Sequence, residues 1–318
     1  MGEKFLDFEK HERTVKKLIR AGVAAGIVLY GSMALPRRAE AQQPAGRPVP
    51  EKQITEAEAA EGLLTDKTEK NLVRTNADKP GYYREVSSLG QTGGYIKDED
   101  IDRIIGENPG VKEIELAHPH QLSSYKFLLD QANMEKIRNR QQEAVPMAPS
   151  ASDYIMLAHF QRRYQDKGIT VRGKVIALHG QFTYTVDPKN RFFAAYDNFI
   201  GELKKRYDNS LTEKDKALMK ELVDNGTDLR FVIDELGKAQ PDDPKQKEKL
   251  ALAQKLEGLN EGLVEKYSKN LEPADEIELL NARIVQTDPQ DKAEVRRLVA
   301  ELKELCAKHG IKLEFKEM

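Results

Sequence analysis

From Asp98 onward one local pattern recurs: an amphipathic helical stretch closes near a glycine, and a β-rich run follows. Gly110 precedes VKEIELA, Gly168 precedes ITVRGKVIAL, Gly226 precedes TDLRFVIDEL and Gly310 precedes IKLEFKE. Glycine adopts the left-handed conformation that closes a helix, so helix–Gly–strand is how a connection from helix to strand is written. A fifth β-rich run, EIELLNARIVQT at 276–287, lacks that glycine. Strands alternating with helices predict βαβ units. The expected fold is therefore α/β, with a mostly parallel sheet of about five strands and flanking helices. A closed (β/α)₈ barrel needs about 250 residues and eight strands. The chain is long enough for one, but its strands are too few.

The intervening helices carry clear punctuation. Asp187-Pro188 predicts a start, with Asp as N-cap and Pro in the first turn. Phe192, Phe193, Tyr196, Phe199, Ile200, Leu203 and Tyr207 then form one stripe at spacings of three and four. Thr212 and Asp215 form a capping-box-like start for the next helix, which Asn225-Gly226 ends. Residues 244–271 predict one long helix with Leu252, Leu256, Leu259, Leu263 and Tyr267 on one face. Asp288-Pro289 predicts the start of a last helix, whose stripe runs through Val295, Leu298, Val299, Leu302, Leu305 and Cys306. The α/β domain is placed at 98–318. Residues 54–75 are rich in Ala and Glu and read as helical, and 76–96 read as loop with a short strand, giving a helical and loop segment over 54–97.

The start of the chain reads as an export signal. Residues 1–20 end in Lys16, Lys17 and Arg20, an apolar run extends from Ala21 to Leu35, and Ala39-Glu40-Ala41 supplies small residues at −3 and −1. A spanning helix needs about 20 apolar residues, and this run is shorter. A signal peptide over 1–41 is expected, with cleavage before Gln42 and a secreted or periplasmic product. Arg37 and Arg38 keep an uncleaved membrane anchor open as the second reading. Residues 42–53 begin QQPAGRPVPE and read as a flexible linker.

Charge and composition narrow the partners. The formal charge is −2, and 43 basic residues face 48 acidic ones once 1–41 is set aside, so nothing favours a nucleic-acid partner. The lone Cys306 makes no internal disulfide and sits on an apolar stripe, which argues for burial rather than reactivity. The absence of tryptophan disfavours a carbohydrate cleft.

In parallel α/β folds, ligands bind at the carboxyl ends of strands. There the sequence places His118 and His120 after VKEIELA, His179 after VIAL, and Asp234-Glu235 after RFVI. Residues two apart on a strand share a face. His118 and His120 can therefore share a metal, with His179 and Asp234 completing a Zn²⁺ site open to water. Metal hydrolases of the barrel type place an HxH after their first strand, and this arrangement looks like theirs. Asp234 and Glu235 are candidates for general acid/base work, although neighbours on a strand face opposite ways. Gly90, Gly93 and Gly94 lack the spacing of a phosphate loop. His159 reads as packed or surface, and His309, in the last helical turn, as a structural partner of the helix dipole. Neither GxSxG nor HExxH occurs.

Two functions stay open. The residues favour a non-enzymatic extracytoplasmic protein that binds a protein or small-molecule ligand. The alternative is a secreted metal-dependent hydrolase with its site at the strand ends.

Overall fold

The computed structural model describes residues 53–59, 71–86, 96, 98–120, 148–177, 180–224, 242–288 and 290–317. The readings at 1–41, at Gly90 to Gly94, at the β-rich run 227–236 with Asp234 and Glu235, and at His179 lie outside these residues.

Among the described residues, seven strands form one sheet: β1 (Gln53–Thr55), β2 (Asn71–Thr75), β3 (Tyr82–Val86), β4 (Glu113–Pro119), β5 (Thr170–Ala177), β6 (Gly180–Val186) and β7 (Ile311–Glu317). Their order is β1-β3-β2-β4-β5-β6-β7. The helices are α1 (Asp98–Glu107), α2 (Ala151–Gln165), α3 (Arg191–Ser210), α4 (Glu213–Asp224), α5 (Pro244–Lys266), α6 (Ser268–Gln286) and α7 (Lys292–Lys308). Residues 56–59 are also helical. The class is α/β as expected, but the sheet is mostly antiparallel. Among the described residues, only β4 and β5 pair in parallel, with α2 between them in the chain.

Connection length explains the correction. β5 and β6 are separated by two residues, and so short a link can join only antiparallel neighbours. β6 was not foreseen, yet QFTYTV alternates: Phe182 and Tyr184 are buried, while Gln181, Thr183 and Thr185 are half-buried. The pairing also uses a glycine. Gly173 lies opposite Tyr184 in register, and a Cβ there would fall 2.1 Å from the Tyr184 ring. The missing side chain lets that ring lie across the strand and meet Tyr154 edge-on at 5.1 Å.

Two further strand readings change. Residues 71–75, read as helical, are β2, buried at Asn71, Leu72, Val73 and Thr75 because it lies between β3 and β4. Residues 276–287 fall almost wholly within α6. Their β-branched residues suggested a strand, but the buried set Ile277, Leu280, Asn281 and Ile284 keeps helical spacing. The predicted helix 244–271 breaks at Tyr267 into α5 and α6.

Other punctuation behaves as read in part. Gly110, Gly168 and Gly310 have φ of 100°, 68° and 74°, each just before a strand. The Thr212–Asp215 box forms, with Asp215 N donating to Thr212 Oγ1 and Thr212 N to Asp215 Oδ2. Two caps lie three residues downstream of the predicted ones: Asn190 caps α3 and Asp291 caps α7.

The main core lies between one face of the sheet and the helices. Ile114, Leu116, Val171, Val175, Phe182, Tyr184, Ile311 and Leu313 supply the sheet side. The stripes of α3 and α7 close over it, with Cys306 fully buried. α6 packs against α2, α3, α5 and α7. A smaller cluster, Ile54, Ala59, Leu72, Tyr83, Ala117 and Ile176, covers part of the other face. Among the described residues, no helix is long and apolar enough to cross a membrane.

Candidate metal centre

Strand alternation builds the first half of the site. Ile114, Leu116 and His118 share the face of β4 that meets the helices. His120 follows two residues on, and its N–H donates to Ile176 O, which carries the pairing with β5 one step further. Pro119 restricts His118 to extended backbone, and His118 indeed lies within β4. The two rings sit 4.9 Å apart between centroids, tilted by 53°.

A helix cap builds the second half. Ser150 is the N-cap of α2, and Asp153 is its N3 residue in a reciprocal capping box. Asp153 Oδ2 accepts from Ser150 N at 2.7 Å and from Ser150 Oγ at 2.8 Å. The same carboxylate faces both imidazoles. His118 Nε2 lies 3.2 Å from Oδ1, and His120 Nε2 lies 3.2 Å from Oδ2. His118, His120 and Asp153 are 3%, 4% and 6% exposed, so the triplet is closed off from bulk solvent. Burial alone would raise the Asp153 carboxyl, but His118 and His120 outweigh it and hold it well below the usual carboxylate range. The anionic form persists in the interior.

Each of the three residues offers one atom of a kind that ligates metals. The ligand atoms of the three residues all lie within 4.8 Å of one another. In a tetrahedral site with bonds of about 2.0–2.1 Å, ligand atoms stand about 3.3 Å apart. His118 Nε2 stands 3.2 Å from one Asp153 oxygen and His120 Nε2 3.2 Å from the other, so a shared ion would require the three residues to draw closer together. Two imidazoles and a carboxylate suit Zn²⁺ and its neighbours better than Ca²⁺ or Mg²⁺, which take oxygen ligands.

Of the residues singled out from sequence, the structure brings His118 and His120 together. His179, Asp234 and Glu235 lie outside the described residues. Asp153 went unnoticed because it reads as an ordinary capping residue. The signal that could have raised it is its acidic side chain in the first turn of the helix linking the two parallel strands, following Ser150. His159 is surface-exposed, with Nε2 2.9 Å from Asp98 Oδ1. His309 ends α7 against the Phe192 ring at 5.5 Å. Burial lowers its pKa, which works against the positive charge that the helix dipole would favour.

A second polar group occupies the opposite face. Glu56 accepts from Lys174 at 2.5 Å and from Gln181 at 2.7 Å, while Tyr83 donates to Glu115 at 2.5 Å and Arg74 to Glu115 at 2.9 Å. These charges pair off among themselves and seat residues 53–59 on the sheet.

Comparison with protein-family models, curated proteins and solved structures finds no match.

Proposed function

We propose that this is a metal-binding protein whose His118, His120 and Asp153 hold a divalent transition-metal ion, Zn²⁺ above all. The observation that carries the reading is the convergence of two strand imidazoles and one helix-cap carboxylate in a buried triplet. Three protein ligands leave a coordination position for water or a further ligand. In a hydrolytic form of the reading, a metal-bound water would be the nucleophile, His179 would be a further ligand, and Asp234 or Glu235 would be the general acid/base. In the non-enzymatic form, the metal or a small molecule held through it is the bound ligand. One observation favours a metal-free alternative: separations of 3.2 Å also suit imidazole N–H donors to a carboxylate, which would make the triplet a proton-held clamp.

Zinc titration of melting temperature separates the two. An ion binding only the native state at a hundredfold excess over its Kd stabilises by about 2.7 kcal/mol, or roughly 4–5 °C for a chain of this size. The wild type is expected to show that rise, and His118→Ala/His120→Ala is not. A His179→Ala variant in the same series shows whether that residue adds a ligand. Equal shifts in wild type and double variant, or none in either, would dispose of the metal site.

We propose further that the protein works outside the cytoplasm after loss of residues 1–41. The support is the basic, apolar and small-residue pattern of that segment. Mass analysis of exported protein should find Gln42 at the N-terminus, and Ala41→Asp should block processing. Intact Met1 in the membrane fraction would overturn this.

A further inference from the structure

The N-terminus of α2 is held from outside by one helix. Glu278 and Asn281 stand three residues apart on α6 and so share a face. Glu278 Oε1 accepts from Ala151 N at 2.6 Å, and Asn281 Nδ2 donates to Pro149 O at 2.9 Å. Both bonds are buried and span more than a hundred residues of chain. They grip the backbone groups on either side of Ser150. That residue's own N and Oγ hold Asp153 Oδ2, the oxygen that faces His120.

We propose that Glu278 and Asn281 are positioning residues of the metal centre, fixing the turn that aims the Asp153 carboxylate at the two imidazoles. The proposal rests on the metal reading above. Helix packing alone does not call for these residue types. Asn281 is fully buried and Glu278 is 7% exposed, and an apolar side chain would fill either place without the cost of burying polar atoms. What they supply is direction. Ala151 N is a first-turn donor with no partner inside its own helix, and Glu278 Oε1 accepts from it at the positive end of the helix dipole. Asn281 fixes the carbonyl just before the cap. With both sides of Ser150 pinned, the carboxylate is held to the few tenths of an ångström that a metal site demands. Outer residues that orient ligands in this way typically govern metal affinity by 10–100-fold.

The test is zinc affinity of the full chain, measured by competition with a chelating dye at a temperature where each metal-free variant is folded by circular dichroism. Co²⁺ absorption serves as a second readout. Glu278→Ala and Asn281→Leu are expected to weaken zinc by at least tenfold and to alter the Co²⁺ bands. Glu278→Gln keeps an acceptor for Ala151 N and is expected to stay within about threefold of wild type. If Glu278→Ala fails to fold, Asn281→Leu against Glu278→Gln gives the same comparison. Affinities within threefold in all variants, with only the melting temperature lowered, would leave a merely structural role and overturn the proposal. Glu278→Gln as weak as Glu278→Ala would also overturn it. A wild type that binds no zinc removes the metal reading itself, and this one with it. A wild type that binds zinc with unaffected variants removes only the positioning role.

Discussion

Removing the Asp153 carboxylate should expose how much the triplet contributes even without metal. The side chain is 6% exposed and is the shared acceptor for Ser150 N, Ser150 Oγ, His118 Nε2 and His120 Nε2. In Asp153→Ala the Ser150 hydroxyl can turn to Ser152 Oγ, already 2.6 Å away. Ser150 N and both imidazoles lose their common partner, and the capping box is broken. A lost cap costs about 1 kcal/mol, and each buried donor stripped of its acceptor about 1–3 kcal/mol. Several buried donors share this one acceptor, so a total of about 3–5 kcal/mol is expected here. Asp153→Asn keeps one oxygen and the shape, and should cost about 1–3 kcal/mol. Urea melts at pH 7 in excess EDTA measure both. The pH dependence has a definite sign. The Asp153 carboxyl is lower in the folded protein than its ordinary 3.8. Its contribution is therefore fully present above that value and is lost as pH falls through the folded value. The gap between wild type and Asp153→Asn should narrow in acid below about pH 4. A cost under about 1 kcal/mol for Asp153→Ala would refute the argument, because a shared buried acceptor cannot be removed that cheaply.

Two further outcomes test the core. Leu302 is fully buried on the face of α7 that packs on the sheet, so Leu302→Ala should cost about 2–4 kcal/mol in denaturant melts, and under about 0.5 kcal/mol would mean that α7 is not packed there. Burial pushes the Cys306 thiol from 9.0 up to about 12. The unfolded chain then ionises first as pH rises, so between pH 8 and 10 the wild type should lose about 1.4 kcal/mol of stability that Cys306→Ala does not lose. Parallel stability–pH curves for the two proteins would show that the thiol is not held neutral in the core.

Much of the local structure was written in short stretches of sequence. The glycines at 110, 168 and 310 close helices because they adopt positive φ. The stripes of α3 and α7 bury as their spacing requires. Period-two alternation placed His118 and His120 on one face of a strand before any fold was known, since that rule needs only the pleat of a single strand. Each of these features is settled within a few turns of chain, where backbone geometry alone decides which side chains are neighbours.

The direction of the sheet and the completion of the site were not settled that way. Helix–Gly–strand marks where a strand begins but not which edge it joins, so a parallel sheet was expected and a mostly antiparallel one formed. The run at 276–287 had strand-like residues but helical spacing, and its place against four other helices favoured the spacing. Asp153 lies 33 residues beyond His120. Read locally it is a capping residue. It meets the two imidazoles only because α2 connects β4 to its parallel neighbour β5 and packs its first turn over the end of β4. Contacts of that kind come from the burial of whole faces, to which each residue contributes a little and no short segment contributes enough to specify the outcome. The sequence by itself placed two imidazoles together at a strand end; tertiary packing supplied the carboxylate between them, and with it the grip of Glu278 and Asn281.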